Sequence, residues 1–270
     1  MTKKIFQKKI EIVIPIYKCN PVSYQRVKNA LKKQTLPYEI IEVDDMTEAG
    51  GMNYGMKQAR GEIVVVMSSD CIPEDKFWLE RLVKPLEDPN VVVSVSDTEV
   101  IPYDLWKNYS LVVRAITVKE QRVFRSSLDA RACAYRKKVF EKIGGFDDRG
   151  IIGIDDDFYH KIKNKGKIVY PGCKILHWHP MSLQDRLWME YKYAKGAGFV
   201  TRLHGWSYHD TWKRIIKATP VLGILPILYV YPFKRDLHLF PIYFLFSPLL
   251  NGIYCKGFWK GYFECRNKLL

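Results

Sequence analysis

Four familiar sequence signatures are missing from this chain of 270 residues, and each absence argues against a class of protein. The six cysteines are scattered and form no C-x-x-C pair, which argues against a zinc ribbon and a dense disulfide framework and predicts a reducing, cytosolic environment. No G-x-G-x-x-G follows the first apolar run. Residues 17–21 read YKCNP there, which excludes a nicotinamide-binding Rossmann domain. The chain also contains no internal repeat and no coiled-coil heptads.

Long unbroken hydrophobic runs are missing as well. Residues 1–17 are basic without a long apolar stretch and a cleavage site, so we expect no secretory signal. Residues 218–233 and 237–254 are apolar, but five prolines interrupt them. Neither segment gives the run of about 20 residues that a membrane-spanning helix needs.

Positive charge is in excess, and half of the excess lies near the C-terminus. The formal net charge is +14, and residues 201–270, with ten Lys/Arg and three Asp/Glu, carry +7 of it. A basic, apolar and aromatic segment is typical of a helix in the interface of an anionic membrane. The alternatives are a proline-broken helical subdomain packed on the core, or a spanning segment. We expect no nucleic-acid partner, because no recognised binding motif accompanies the charge.

Apolar runs alternate with helical patterns in the first hundred residues. The runs at 10–17, 38–45, 62–67 and 90–97 predict buried strands, and the segments between them have helical caps or periodicity. This alternation predicts an α/β fold with a mostly parallel central sheet flanked by helices. In such sheets ligands bind beyond the carboxyl ends of the strands.

Three carboxylates follow two of these predicted strands. Asp44 and Asp45 end the second strand and Asp70 follows the third. Like charges at one sheet edge repel, so the arrangement is explained if a divalent cation or the N–H groups of a ligand lie between them. The structural alternative is that Asp45 begins a turn and that Asp70 accepts hydrogen bonds from its own loop.

These residues stand within a longer resemblance. The segments VIPIY, QTLPYEIIEVDD and GMNYGMKQARGEIVVVMSSDCIPEDKFWLERL resemble the nucleotide-sugar domain of family 2 glycosyltransferases, which are inverting enzymes with the GT-A fold. AYRKKVFEKIGGFDD and DDDFYHKIKNKGKIVYPGCKILHWHP are similar to the acceptor half of that family. The resemblance covers about residues 9–200. It implies a nucleotide-sugar donor, a divalent Mn²⁺ or Mg²⁺ ion and a glycan acceptor.

The resemblance also implies roles for single residues. Asp70 corresponds to the last acid of the family's metal-binding D-x-D, whereas Ser68 replaces the first acid, so the metal needs other ligands or more water. The family's donor-binding positions correspond to Pro15, Tyr17, Asp44, Asp45, Asn53, Ser69 and Asp70.

Two further groups complete the predicted site. His177 and His179 alternate along a strand and so point to the same side. A neutral imidazole, His177 before His179, would complete the metal shell with Asp70. The acidic run 155–157 can act as an ordinary helix cap. The resemblance implies that its acid pair, Asp155 and Asp156, supplies the general base, with Asp156 as first choice.

Phosphate contacts are also expected from basic side chains, for which Arg131, Arg136 and Lys195 are candidates beside the ordinary role of surface cations. We expect a catalytic domain over residues 1–205, divided into 9–100 for the donor and 101–205 for the acceptor.

Residues 206–270 are then expected to hold the enzyme on the cytoplasmic side of the cell membrane, as a peripheral or monotopic protein. The function expected from all these features is an inverting glycosyltransferase acting on a lipid-linked or membrane-proximal acceptor. The alternative is a membrane-attached scaffold that keeps the nucleotide-binding fold without catalysis.

Overall fold

The computed structural model describes residues 9–125, 128, 130–148, 153–207 and 211–269. The chain divides into two compact units. The first, which we call the sheet unit, comprises residues 1–102, 123–150 and 154–179, and the second, the helical unit, comprises 103–122, 151–153 and 180–270. Residues 180–205 belong to the helical unit, and the division into a catalytic domain over residues 1–205 and a membrane segment over 206–270 stays a prediction.

The sheet unit contains the strands of the fold. They are β1 (Ile10–Pro15), β2 (Glu39–Val43), β3 (Ile63–Met67), β4 (Cys71–Pro73), β5 (Val91–Val95), β6 (Asp97–Glu99), β7 (Val123–Phe124), β8 (Ala132–Arg136), β9 (Lys167–Val169) and β10 (Lys174–His177).

The described helices are divided between the units. The sheet unit has α1 (Pro21–Leu31), α2 (Glu48–Gln58), α3 (Trp78–Val83), α6 (Lys137–Lys142) and α7 (Ile154–Ile162), and the helical unit has α4 (Tyr103–Trp106), α5 (Leu111–Thr117), α8 (Leu183–His204), α9 (Thr211–Lys217), α10 (Ile224–Tyr229) and α11 (Phe240–Leu269).

The main sheet has the order β2-β1-β3-β8-β5-β9. The strand β1 is parallel to β2 and β3, and β5 is parallel to β9, whereas β8 runs antiparallel to both of its neighbours. The α/β prediction is confirmed, with the refinement that the sheet is mixed. Every residue of β1, β3 and β5 is buried, which explains their unbroken apolar sequences. A second sheet has the order β4-β10-β6-β7.

Helix α2 lies close against the main sheet. The Thr47 side chain caps its first turn by accepting a hydrogen bond from the Gly50 N–H at 3.1 Å. A Cβ at Gly55 would stand 2.2 Å from Val13 Cγ1, and one at Gly51 would stand 3.0 Å from Pro15 Cβ. Only glycine therefore lets this helix approach β1 so closely. Gly50 and Gly51 both lie within this helix.

Helices α8 and α11 pack together in the helical unit with their backbones in near contact. A Cβ at Gly198 would stand 1.9 Å from the Phe258 carbonyl oxygen, and one at Gly261 would stand 1.9 Å from that of Lys195. Small residues at a helix crossing permit this approach.

A buried charge network lies in the same unit. Arg186 Nη2 donates to Glu120 and Glu190 at 2.6 and 3.0 Å, and Lys217 Nζ donates to Glu190 at 3.1 Å.

The helix α11 runs through Pro248 without a break, although the prolines of this segment were expected to interrupt it. Proline has no N–H to donate to the carbonyl four residues earlier, which is that of Phe244. The Ser247 hydroxyl donates to this carbonyl at 2.7 Å and so supplies the missing hydrogen bond.

The helical segment over residues 237–265 is long and apolar enough to cross a membrane, judged by length and composition alone. Core helices of soluble proteins meet the same criterion.

Candidate active site

The carboxyl ends of the parallel strands form one edge of the main sheet. In the register of β1 with its neighbours, Pro15 lies opposite Val43 of β2, and Val13 lies opposite Val66 of β3. Asp44 and Asp45 follow β2, and Asp70 follows β3, so all three acids leave the sheet at this edge. β2 and β3 flank β1, and their ends are therefore roughly 10 Å apart at the usual spacing between strands. Asp45 has a left-handed backbone with φ 57°, which aspartate tolerates.

Asp70 is joined by two histidines from β10 and the residues after it. The antiparallel pairing of β10 with β4 places His177 opposite Cys71, next to Asp70 in the chain. The Asp70 Oδ2 atom lies 3.3 Å from His177 Nε2 and 3.2 Å from His179 Nδ1. The two imidazole rings stack at 5.8 Å, which confirms that both histidines face the same side.

These three residues, which we call the Asp-His-His cluster, have the geometry of a metal site. Their ligand atoms all lie within 4.8 Å of one another. His177 Nδ1 lies 3.1 Å from the Val100 carbonyl oxygen and is assigned as the donor to it, because a carbonyl oxygen only accepts, and Nε2 faces Asp70. Metal-binding histidines are commonly oriented by such a backbone carbonyl. Imidazole nitrogen with carboxylate oxygen suits a divalent transition metal better than Mg²⁺.

The charge of Asp70 is stabilised within this cluster. Burial alone would raise the pKa of the Asp70 carboxyl, but His177 and His179 oppose it with charge and hydrogen bonds. The net effect holds the pKa of Asp70 well below its usual range. The carboxylate is therefore ionised at neutral pH, as metal binding requires.

Glu48 lies at the same site and was not among the predicted residues. The buried Ser68 hydroxyl donates to Glu48 Oε1 at 2.9 Å. Glu48 is exposed to solvent as a residue, although protein atoms surround its carboxylate. Desolvation of the carboxylate by these atoms is the main cause that raises the pKa of Glu48, and negative Asp70 adds to it, against the opposing influence of Ser68, His177 and Arg131. Acids are common in the first turn of a helix because they favour the helix dipole, so the position of Glu48 in the sequence does not indicate a functional role. Its partner Ser68 lies 20 residues further along the chain.

The remaining donor-binding predictions fall in different surroundings. Tyr17 is 44% exposed just beyond β1, and Pro15 is buried at the end of that strand. Ser69 lies in the turn between Ser68 and Asp70. The Asn53 amide donates to the Phe146 carbonyl at 2.8 Å and accepts from the Phe146 N–H at 2.9 Å, so it ties α2 to the loop after α6. Their contacts with a donor remain predictions.

The acidic run 155–157 forms the first turn of α7, as expected. Asp157 is buried and pairs with Lys161 at 2.6 Å, one turn along the helix. Asp155 and Asp156 are partly exposed, and Asp155 Oδ1 accepts a hydrogen bond from the Asp156 N–H at 3.0 Å. Asp157 therefore has a structural role, whereas Asp155 and Asp156 are accessible. The role of Asp156 as general base stays a prediction.

Two of the candidate phosphate contacts have structural partners instead. Arg136 donates to the backbone carbonyls of Leu86, Asp88 and Val91, which joins β8 to the segment before β5. Lys195 lies on α8 and pairs with Glu264 of α11 at 2.6 Å. Arg131 is electrostatically coupled to Glu48 and so belongs to the active-site region.

The mixed sheet with helices on its faces, and an acid-and-histidine site at its carboxyl edge, is a GT-A-like fold of the nucleotide-sugar transferase class. Residues 47–144 match the sequence profile described as Glycosyl transferase family 2. The predicted resemblance is thereby confirmed for these residues, which carry the sequence signature of family 2 glycosyltransferases within a GT-A-like fold.

A solved structure supports the fold independently. The chain is similar to the mannosyltransferase PcManGT from Pyrobaculum calidifontis, in complex with GDP-Man and Mn2+, with a TM-score of 0.60 and 14% identity. The match covers 95% of this chain and 88% of that one. At this identity the likeness shows the fold alone. No curated protein sequence matches the chain significantly.

Proposed function

We propose that this protein is an inverting glycosyltransferase that moves a sugar from a nucleotide-diphosphate donor to an acceptor hydroxyl. The observation that carries the proposal is the Asp-His-His cluster, which stands at the sheet edge where α/β folds bind ligands and whose Asp70 lies within the residues that match the family profile. The similar mannosyltransferase holds GDP-Man and Mn2+, which favours the same ligand classes here.

The donor would lie along the carboxyl edge of the sheet. Its base and ribose would contact Tyr17 and one of Asp44 and Asp45, which accept hydrogen bonds from N–H and O–H groups. Its diphosphate would lie toward Asp70, two strands away. The Asp-His-His cluster would hold a divalent cation there. When bound, such a cation neutralises the charge that develops on the leaving diphosphate.

The acceptor side would use Asp156. Its carboxylate would take the proton of the acceptor hydroxyl while that oxygen bonds to the anomeric carbon. The bond from carbon to phosphate oxygen breaks, and the nucleoside diphosphate leaves with the electron pair. Attack from the face opposite the leaving group inverts the anomeric configuration.

We also infer that the helical unit lies on the cytoplasmic face of a membrane and receives a lipid-linked or membrane-proximal acceptor. Tyr229 is 86% exposed and Leu245 is 73% exposed. A groove of about 710 Å³ is lined by apolar side chains alone, namely Leu225, Pro226, Leu228, Tyr229, Phe233 and Phe240. Lys234 and Arg235 follow in the sequence, and such a mixture of apolar and basic groups favours an anionic lipid surface. Restricting enzyme and acceptor to one surface would raise their effective concentration.

The membrane proposal is tested best by single surface substitutions. Removing residues 211–270 would uncover the glycine-lined face of α8 and leave Glu190 without Lys217, so a deletion would confuse binding with folding. Tyr229→Glu and Leu245→Glu should each reduce sedimentation with vesicles that contain anionic lipid. Val22→Glu, at a position 66% exposed on α1 of the sheet unit, is the matched control and should sediment like the wild type. Equal sedimentation of all four proteins would contradict the proposal.

The enzymatic proposal is tested by a panel of nucleotide sugars in a thermal-shift assay with Mn²⁺ or Mg²⁺, followed by turnover of the ligand found. A ligand that binds the folded protein raises its Tm. We expect one nucleotide sugar to raise the Tm when the metal is present. Donor binding without transfer or donor hydrolysis would instead favour the scaffold, to which the missing first acid at Ser68 gives some weight.

A further inference from the structure

By its sequence pattern alone, the cation site is one carboxylate short. Ser68 stands where the family pattern has its first acid, and a neutral hydroxyl cannot balance a divalent charge. Among the described residues, the Asp-His-His cluster contains only the carboxylate of Asp70. The two histidines bind metals as neutral ligands. A divalent cation held by this cluster alone would keep a net positive charge.

A second carboxylate is nevertheless directed to the position of the missing acid. Ser68 is 6% exposed, and its hydroxyl donates to Glu48 Oε1 at 2.9 Å. Asp70, two residues further along the chain, and His177 both act electrostatically on Glu48. The glutamate therefore shares one site with the cluster, although it is not part of the group whose ligand atoms lie within 4.8 Å.

The backbone beneath Glu48 is held firmly. Gly51 and Gly55 let α2 lie directly on β1, and the Thr47 cap fixes the first turn. The two hydrogen bonds between the Asn53 side chain and the Phe146 backbone tie the same helix to the loop after α6. Residues at a functional site need such support to stay in place. A glutamate that served only the helix dipole would not require a buried hydroxyl to orient it.

We propose that Glu48 supplies the second carboxylate of the divalent-cation site, oriented by Ser68, in place of the acid that the sequence lacks. The inference rests on the proposed function, because it assigns a residue to the metal site of that function. Glu48 would act on the cation through a metal-bound water, while the Ser68 hydroxyl orients its carboxylate. It adds one negative charge beside the cluster, so that two carboxylates face the cation.

The test is calorimetric titration of the whole protein with MnCl₂ alone, which does not depend on finding the donor. Glu48→Gln should weaken the Kd for Mn²⁺ by about 10- to 100-fold, the usual effect of losing a group that supports metal ligands. Ser68→Ala, which removes the orienting hydroxyl, should weaken it less. The double variant Glu48→Gln/Ser68→Asp, which restores an acid at position 68, should recover most of the lost affinity.

The matched control is Glu39→Gln, the same substitution at the start of β2 and thus at the opposite edge of the sheet. The Glu39 side chain is 64% exposed and pairs only with Lys9 in the described contacts. The Glu39→Gln variant should therefore bind Mn²⁺ with the affinity of the wild type. Thermal unfolding without metal checks that each variant folds. If Glu48→Gln does not fold, the comparison of Ser68→Ala and the double variant with the wild type tests the proposal.

The outcomes separate this inference from the function beneath it. If Glu48→Gln binds Mn²⁺ like the wild type while Asp70→Asn loses binding, the role of Glu48 is wrong and the metal site stands. If the double variant binds as weakly as Glu48→Gln, the charge-replacement argument is wrong. If the wild type binds no Mn²⁺, the metal-assisted function fails together with this inference.

Discussion

Replacing Gly261 by alanine should destabilise the helical unit, whereas the same change at Gly252 of the same helix should not. The Cβ of an alanine at 261 would stand 1.9 Å from the Lys195 carbonyl oxygen, and real Cβ atoms do not approach other atoms within 3.0 Å. The backbones of α8 and α11 must therefore separate by about 1 Å at this point. An added Cβ at Gly252 meets no atom within 4 Å.

The magnitude follows from two opposing effects. Glycine in a helix interior is less favourable than alanine by about 0.5–1 kcal/mol, so Gly252→Ala should stabilise the protein by up to that amount. At Gly261 the same gain is outweighed by overpacking, which typically costs about 1–3 kcal/mol and costs more where backbones must move. A chain of this size changes its Tm by about 2–4 °C per kcal/mol. We expect Gly261→Ala to lower the Tm by about 4 °C or more.

The assay is thermal unfolding followed by circular dichroism, with both variants beside the wild type. Because the substitutions are chemically identical and lie on one helix, their difference isolates the contact with α8. Equal Tm values for the two variants would refute the close packing of α8 against α11, and with it the assignment of residues 180–205 to the helical unit.

Three further predictions concern the charged groups. Asp156→Asn should abolish sugar transfer while donor binding by calorimetry stays close to that of the wild type, and weak donor binding would point to a structural role. Glu190→Gln leaves Arg186 and Lys217 without its carboxylate and should lower the free energy of unfolding by about 3–5 kcal/mol in urea titrations, an estimate contradicted by a loss below 1 kcal/mol. Burial raises the pKa of Glu11, but two backbone N–H groups and Lys9 outweigh it and lower the pKa below its ordinary value of 4.5. The ionised Glu11 contributes to the free energy of unfolding above pH 4.5, and this contribution is lost as the pH falls through its lowered pKa. Glu11→Gln should therefore make the free energy of unfolding depend less on pH in the acid range.

Much of the sheet unit could be predicted because its signals are local. Continuous apolar runs mark β1, β3 and β5, which are buried on both faces. The place of β8 could not be predicted in this way. It lies between β3 and β5 in space but follows both in the chain, and its pairing depends on distant contacts, such as that of Val65 with Ala134, 69 residues later.

The same contrast holds in the candidate site. Asp70 stands at a strand end within a recognisable pattern, and alternation along β10 correctly placed His177 and His179 on one side. His177 was expected to be the better ligand of the two, and both histidines contact Asp70 at nearly equal distances. Glu48 reaches the site only because glycines bring α2 onto β1, which is a packing effect that no local pattern reports.

Helix α11 shows how tertiary contacts override a local rule. Proline normally ends or kinks a helix, and five prolines argued against a long helix in this region. The Ser247 hydroxyl satisfies the carbonyl that Pro248 leaves open, and the glycine contacts with α8 hold the helix along its length. The charge and aromatic content of the segment were evident in the sequence, whereas its continuity depends on these pairings.

The account depends most on the ability of Asp70, His177 and His179 to hold a cation against a diphosphate. Crystals soaked with MnCl₂ and a nucleoside diphosphate, measured at a wavelength where manganese scatters anomalously, test this directly. We predict one strong anomalous peak within bonding distance of all three side chains, with the diphosphate beside it. A peak elsewhere on the protein, or a bound diphosphate with no manganese at this cluster, would contradict the assignment.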